Sequence, residues 1–174
     1  MQQAELDLLV LAFQRGNKTA LHALYQHFQR DLLRFAQWQL QGHPVAADLV
    51  QNVWLKVIKR VHRLEDPAVF TSWLYRAVRW EILDWQKHAN QRLTDMLTEP
   101  ELLQAQVQPE DDFAEYLAIF DAEDQLLVRL FYQLELAQQD IALILQIPSG
   151  TVKSRLYRIR QQLAAQFGIA AEGH

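Results

Sequence analysis

Cysteine is absent from the 174 residues, which excludes disulfides and thiolate metal sites and fits a reducing compartment. Glycine and proline are scarce, five of each, and runs of alternating Val, Ile and Thr are few, so little in the chain favours a sheet. No apolar run reaches the length of a membrane span, and Met1-Gln2-Gln3-Ala4-Glu5 lacks the basic start of a signal peptide. A cytoplasmic location is the expectation. The six histidines, His22, His27, His43, His62, His88 and His174, fall in no metal-ligand spacing. A Walker loop, a dinucleotide-type glycine turn and a Gly-x-Ser-x-Gly motif are missing as well, so neither metal, cofactor nor enzymatic activity is expected.

What is present is apolar and helix-forming: half the residues are hydrophobic, and Leu, Ala and Gln abound. An all-α fold follows. The net charge of -4 conceals an asymmetry. Residues 1–92 carry 12 Lys/Arg against 8 Asp/Glu, residues 93–124 none against 10, and residues 125–174 five against three. Two basic ends flank an acidic middle.

Apolar periodicity divides the first part into four helices. One runs from Leu6 to Phe13 and stops at Gly16. Asn17 caps a second through Leu40, whose core face is Leu21, Leu24, Tyr25, Phe28, Leu32 and Phe35. After Gly42-His43-Pro44 a third runs to about Arg63, with Leu49, Val50, Val53, Trp54, Val57, Ile58 and Val61 inward. After Asp66-Pro67 a fourth extends from Phe70 to about His88. Residues 1–92 form one bundle, 93–110 an acidic linker interrupted by Pro100, and 111–174 a smaller helical domain.

Within that smaller domain, Gln138–Gln161 has the pattern of a helix-turn-helix. Ile141 and Leu145 face inward, Ala142 allows close crossing, Ile147 plugs the corner, and Pro148-Ser149 ends one helix and caps the next. Val152, Leu156, Ile159 and Leu163 make the buried stripe of the second helix. Thr151, Lys153, Ser154, Tyr157, Arg158 and Gln161 then turn outward or sideways, carrying groups suited to base edges and phosphates.

Asp140-Ile141-Ala142 and Gly150-Thr151-Val152-Lys153-Ser154-Arg155-Leu156 resemble region 4 of the extracytoplasmic-function (ECF) group of bacterial sigma-70 family RNA polymerase sigma factors. Asp48-Leu49-Val50-Gln51-Asn52-Val53-Trp54-Leu55 resembles region 2 of the same family, and Phe70-Thr71-Ser72-Trp73-Leu74-Tyr75-Arg76 the segment that follows it. The resemblance implies a transcription initiation factor with two helical domains, a region 2 bundle and a region 4 helix-turn-helix. It implies that Asp48, Gln51, Asn52, Leu55 and Lys59 dock on a coiled coil of the large polymerase subunit. Melted minus-10 DNA would meet Leu64, Arg76, Arg79, Trp80 and Lys87. Duplex minus-35 DNA would meet Thr151, Lys153, Ser154, Arg155, Tyr157, Arg158 and Gln161. Implied partners are core polymerase, through that coiled coil and its flap, promoter DNA, and an anti-sigma factor.

On the fourth helix, Phe70, Leu74, Val78 and Trp85 cluster on one side and Ser72, Arg76, Arg79, Leu83 and Lys87 on the other, with Trp80 at the border. Cations beside an aromatic ring suit single-stranded DNA. The resemblance further implies that the linker lies in the polymerase cleft, its acids mimicking a phosphate backbone. It also implies that Arg76 and Ala77 replace the strand-opening tryptophans of larger sigma factors, which makes promoter choice stringent. Two positions depart from the family pattern. Gln146 replaces the corner glycine, costing about 1 kcal/mol if the left-handed conformation is kept, and Trp80 replaces a usual Asn. From the residues alone, a helix-turn-helix regulator acting without polymerase and an interaction adaptor remain open.

Overall fold

The computed structural model describes residues 1–95 and 112–168, with side chains for 1–92 and 113–168. Nearly all of the expected acidic linker, including Glu99, Glu101 and Glu110, therefore lies outside the described residues, as does Asp111. Among those described there is no strand, and no helix is long and apolar enough to cross a membrane. Two compact units divide the chain, Met1–Val107 and Gln108–His174.

The first unit contains α1 (Gln3–Gln14), α2 (Lys18–Gln39), α3 (Ala46–Arg60) and α4 (Phe70–Asp95). The α1–α2 corner follows the expectation: Gly16 takes φ 87°, and the Asn17 side chain accepts hydrogen bonds from the Thr19 and Ala20 amides at 2.9 and 3.1 Å. This satisfies two of the donors that a helix start leaves open. The core between α2 and α4 is aromatic. Phe28 meets Phe70 with ring centroids 5.8 Å apart, and Phe35 meets Tyr75 edge-on at 5.2 Å. Burial, then the nearby Asp31 charge, raises the Tyr75 hydroxyl well above its ordinary range, so it stays neutral.

Several positions differ from the periodic reading. Tyr25 is exposed, its ring leaning on Trp54 at 5.2 Å, and Leu21 is half-buried. Ile58 is 46 % exposed because it lies at the margin of a stripe already completed by Val53, Trp54, Val57 and Val61. Ser72, expected outward, is buried, its hydroxyl donating to the Val69 carbonyl at 3.0 Å. Trp85 is only half-buried. The third helix tightens to a 3-10 turn at Val61–Arg63. The fourth continues past His88 to Asp95, since residues 89–95 contain neither proline nor glycine to stop it.

The second unit comprises α5 (Asp112–Leu117), α6 (Ala122–Val128) with a π-helical turn at Arg129–Gln133, α7 (Gln138–Leu145) and α8 (Ser149–Phe167). Ile141, Ala142, Leu145, Val152, Leu156 and Ile159 are buried as expected, whereas Leu163 and Ile147 are half-buried. Ser149 does not cap α8. The N-cap position is Pro148, which has no side-chain acceptor, and its carbonyl receives the Thr151 and Val152 amides at 2.9 and 3.2 Å. Gln146 keeps the left-handed corner at φ 56°, ψ 43°, so the strain a glycine would avoid is present. Gln146→Gly is therefore expected to stabilise this unit by about 1 kcal/mol. The readout is a higher urea midpoint at unchanged slope in circular dichroism; a lower midpoint would show that the corner is not strained.

Candidate nucleic-acid interface

Packing α3 by one face leaves a second seam outward. Asp48, Asn52, Leu55, Lys59 and His62 follow one another at steps of four, three, four and three, with Gln51 beside them, and all are exposed. Leu55, 54 % exposed, is the apolar centre of a polar strip. Ile58, one turn on, widens that apolar area; the sequence pattern had counted it as core. Lys56 pairs with Glu81 and ties this helix to α4.

Between α3 and α4 the chain is held from a distant helix. The Gln14 side-chain amide on α1 donates to the carbonyls of Val61 at 2.9 Å and Leu64 at 2.7 Å, satisfying acceptors where α3 runs out. Asp66 then accepts from the Ala68 amide at 2.9 Å. The half-buried Leu64 is thus presented on a pinned loop. Gln14 was not among the expected site residues, and no local pattern marks it.

On α4 the outward stripe is Arg76, Trp80, Leu83 and Lys87, at steps of four, three and four, all exposed. Trp80 is 70 % exposed: a flat apolar face between two cations. Arg79 departs from this group. It is half-buried and donates to the Gln39 Oε1 at 3.0 Å, which turns it toward α2.

In the second unit, Lys153, Ser154, Tyr157 and Gln161 are exposed on α8 and Thr151 is half-buried. Arg160, not among the expected residues, is exposed too. Arg155 and Arg158 reach sideways instead of straight outward: Arg158 pairs with Asp124 of α6, and an Arg155 nitrogen lies 3.9 Å from the same carboxylate. At the start of α7, burial raises the Asp140 carboxyl above its ordinary value. Its ionised form therefore subtracts from stability, a deficit that fades as pH falls through that raised value. Among the described residues no group of His, Asp and Glu is arranged to hold a metal.

Residues 24–92 match the family described as Sigma-70 region 2, and residues 115–163 that described as Sigma-70, region 4. The ECF RNA polymerase sigma factor SigC of Mycobacterium tuberculosis is 28 % identical over 164 residues, covering 90 % of this chain and 88 % of that protein. The fold is similar to CnrH, solved in complex with the cytosolic domain of CnrY, with a TM-score of 0.65 at 19 % identity, over 95 % of this chain and 98 % of that one. It is also similar to the sigma factor RpoE of Bartonella quintana, solved in complex with the anti-sigma factor NepR, with a TM-score of 0.62 at 23 % identity, over 85 % and 98 %. With both regions matched in order along one chain, this protein belongs to the sigma-70 family of RNA polymerase sigma factors, in its ECF group, and is a transcription initiation factor that binds core RNA polymerase and directs it to promoters.

Proposed function

We propose that the three outward seams divide the work of promoter recognition. Asp48, Gln51, Asn52, Leu55 and Lys59 on α3 dock on a coiled coil of the large polymerase subunit, with Leu55 as the apolar anchor in a polar ring. Leu64 on its pinned loop, with Arg76, Trp80 and Lys87 on α4, holds the separated minus-10 strand, and Arg79 braces α4 from behind. Thr151, Lys153, Ser154, Tyr157 and Gln161 on α8 enter the minus-35 major groove, flanked by Arg155 and Arg158. The observation that carries this reading is the α4 stripe. No packing requirement accounts for a tryptophan so exposed, whereas cations flanking a flat ring fit phosphates and an unpaired base.

The role needs no chemistry of its own, since capturing unpaired bases offsets the few kcal/mol of unstacking. It belongs beside polymerase and DNA, in the cytoplasm. The polymerase flap and an inhibitory anti-sigma protein complete the proposed set of partners, the latter supported by the likeness to RpoE, whose solved complex contains one. Run-off transcription with purified core polymerase on a library of promoter fragments tests the whole reading: transcripts should depend on this protein, and a lack of dependence would overturn it.

Two variants separate the seams. Leu55→Ala should weaken binding to core polymerase about tenfold, or roughly 1.4 kcal/mol, with the unfolding temperature unchanged because nothing in the core is lost; equal affinity would remove α3 from the docking face. Trp80→Ala should weaken binding of holoenzyme to a single-stranded minus-10 oligonucleotide by about 1–3 kcal/mol. Trp80→Phe should retain part of that affinity, and full affinity in the alanine variant would refute the stacking role.

A further inference from the structure

A carboxylate is buried behind the DNA-facing helix. Asp124, on the first turn of α6, is 4 % exposed. Its place is set by the cap of its own helix, because its amide donates to the Asp121 carboxylate at 2.8 Å. From there it faces α8: one oxygen takes the Arg158 guanidinium, and the other lies 3.9 Å from Arg155, buried and without a hydrogen bond. Arg155 and Arg158 are one turn apart on the flank of α8 that meets α6.

Such an arrangement adds little to folding. A buried ion pair is often matched or bettered by apolar residues of similar volume, and the neighbours Leu126, Leu127 and Val128 are already apolar and buried. Its effect on charge is larger. The segment Ser149–Phe167 carries four cations, Lys153, Arg155, Arg158 and Arg160, and no acid. Asp124 cancels one of those charges and draws two guanidinium groups toward α6, leaving Lys153 and Arg160 to face solvent freely.

Resting on the proposed DNA-facing role of α8, we infer that Asp124 is a positioning residue that restrains Arg155 and Arg158 from the phosphates of arbitrary duplex DNA. Non-specific attraction is thereby kept low. Base-edge contacts at a correct element then decide binding, since only there is release of the ion pair offset. The acid acts on discrimination between sequences more than on affinity.

The test compares the full chain with Asp124→Asn and Asp124→Leu on a short duplex of random sequence, by fluorescence anisotropy across a range of salt concentrations. Both variants should bind about 3- to 10-fold more tightly at low salt, with a log–log salt slope steeper by about 0.9 for each arginine released onto a phosphate. The double variant D124N/R158Q should lose the share of the added slope that belongs to Arg158, about 0.9. A slope unchanged or shallower in folded single variants overturns the inference, and so does loss of folding in both, which would make the acid structural. Lys153→Gln serves as the control for the underlying role: it should make the slope shallower by about 0.9. If it too has no effect, or if no chain binds duplex DNA, α8 does not face DNA. If it alone has an effect, only the restraint by Asp124 fails.

Discussion

The aromatic seam between α2 and α4, with Phe28 on Phe70 and Phe35 on Tyr75, fixes the rotation of α4 about its own axis. Rings packed at these distances leave no room for a helix to turn by even one residue, about 100°. With that rotation set, Arg76, Trp80, Leu83 and Lys87 have only one direction left, and it is outward. The outward stripe is the complement of the core stripe. The same logic governs α3, where Val50, Val53, Trp54 and Val57 are buried and Leu55 is left at the centre of the opposite seam. A substitution in either core would therefore register at a surface it never touches.

The second unit builds its surface differently. Its longest helix, α8, carries a buried stripe of three residues, Val152, Leu156 and Ile159, and it is approached by a corner residue in a strained conformation and by an acid from another helix. Glycine at position 146 would relieve the first, and an apolar residue at 124 would remove the second. The first feature reduces stability and the second adds little to it, while both shape how α8 is held.

Helix order, the breaks at Gly16, Gly42 and Pro67, and the helix-turn-helix were legible in the sequence because each is a local pattern of apolar spacing and turn residues. The outward seams were legible for the same reason, as what remains after the core positions are assigned. What escaped depends on partners far along the chain. Gln14 reaches carbonyls 47 and 50 residues away, Arg79 reaches Gln39 across 40 residues, and Arg158 meets Asp124 across 34. No periodicity encodes such pairings. Ser72 is buried where a helical wheel leaves it in solvent, because its hydroxyl turns back to the Val69 carbonyl in the 3-10 turn that leads into α4.

All five tryptophans, Trp38, Trp54, Trp73, Trp80 and Trp85, fall in the first unit. Indole emission is therefore blind to the helix-turn-helix and reports on the bundle alone. Within the bundle the signal is uneven: Trp54 is enclosed, donating its ring N–H to Gln29 at 2.8 Å, while Trp80 stands in water. Indoles in polar surroundings emit furthest to the red, so the red edge of the emission is weighted toward Trp80 at the centre of the α4 stripe, and a nucleobase laid against that ring would darken that edge without any dye attached.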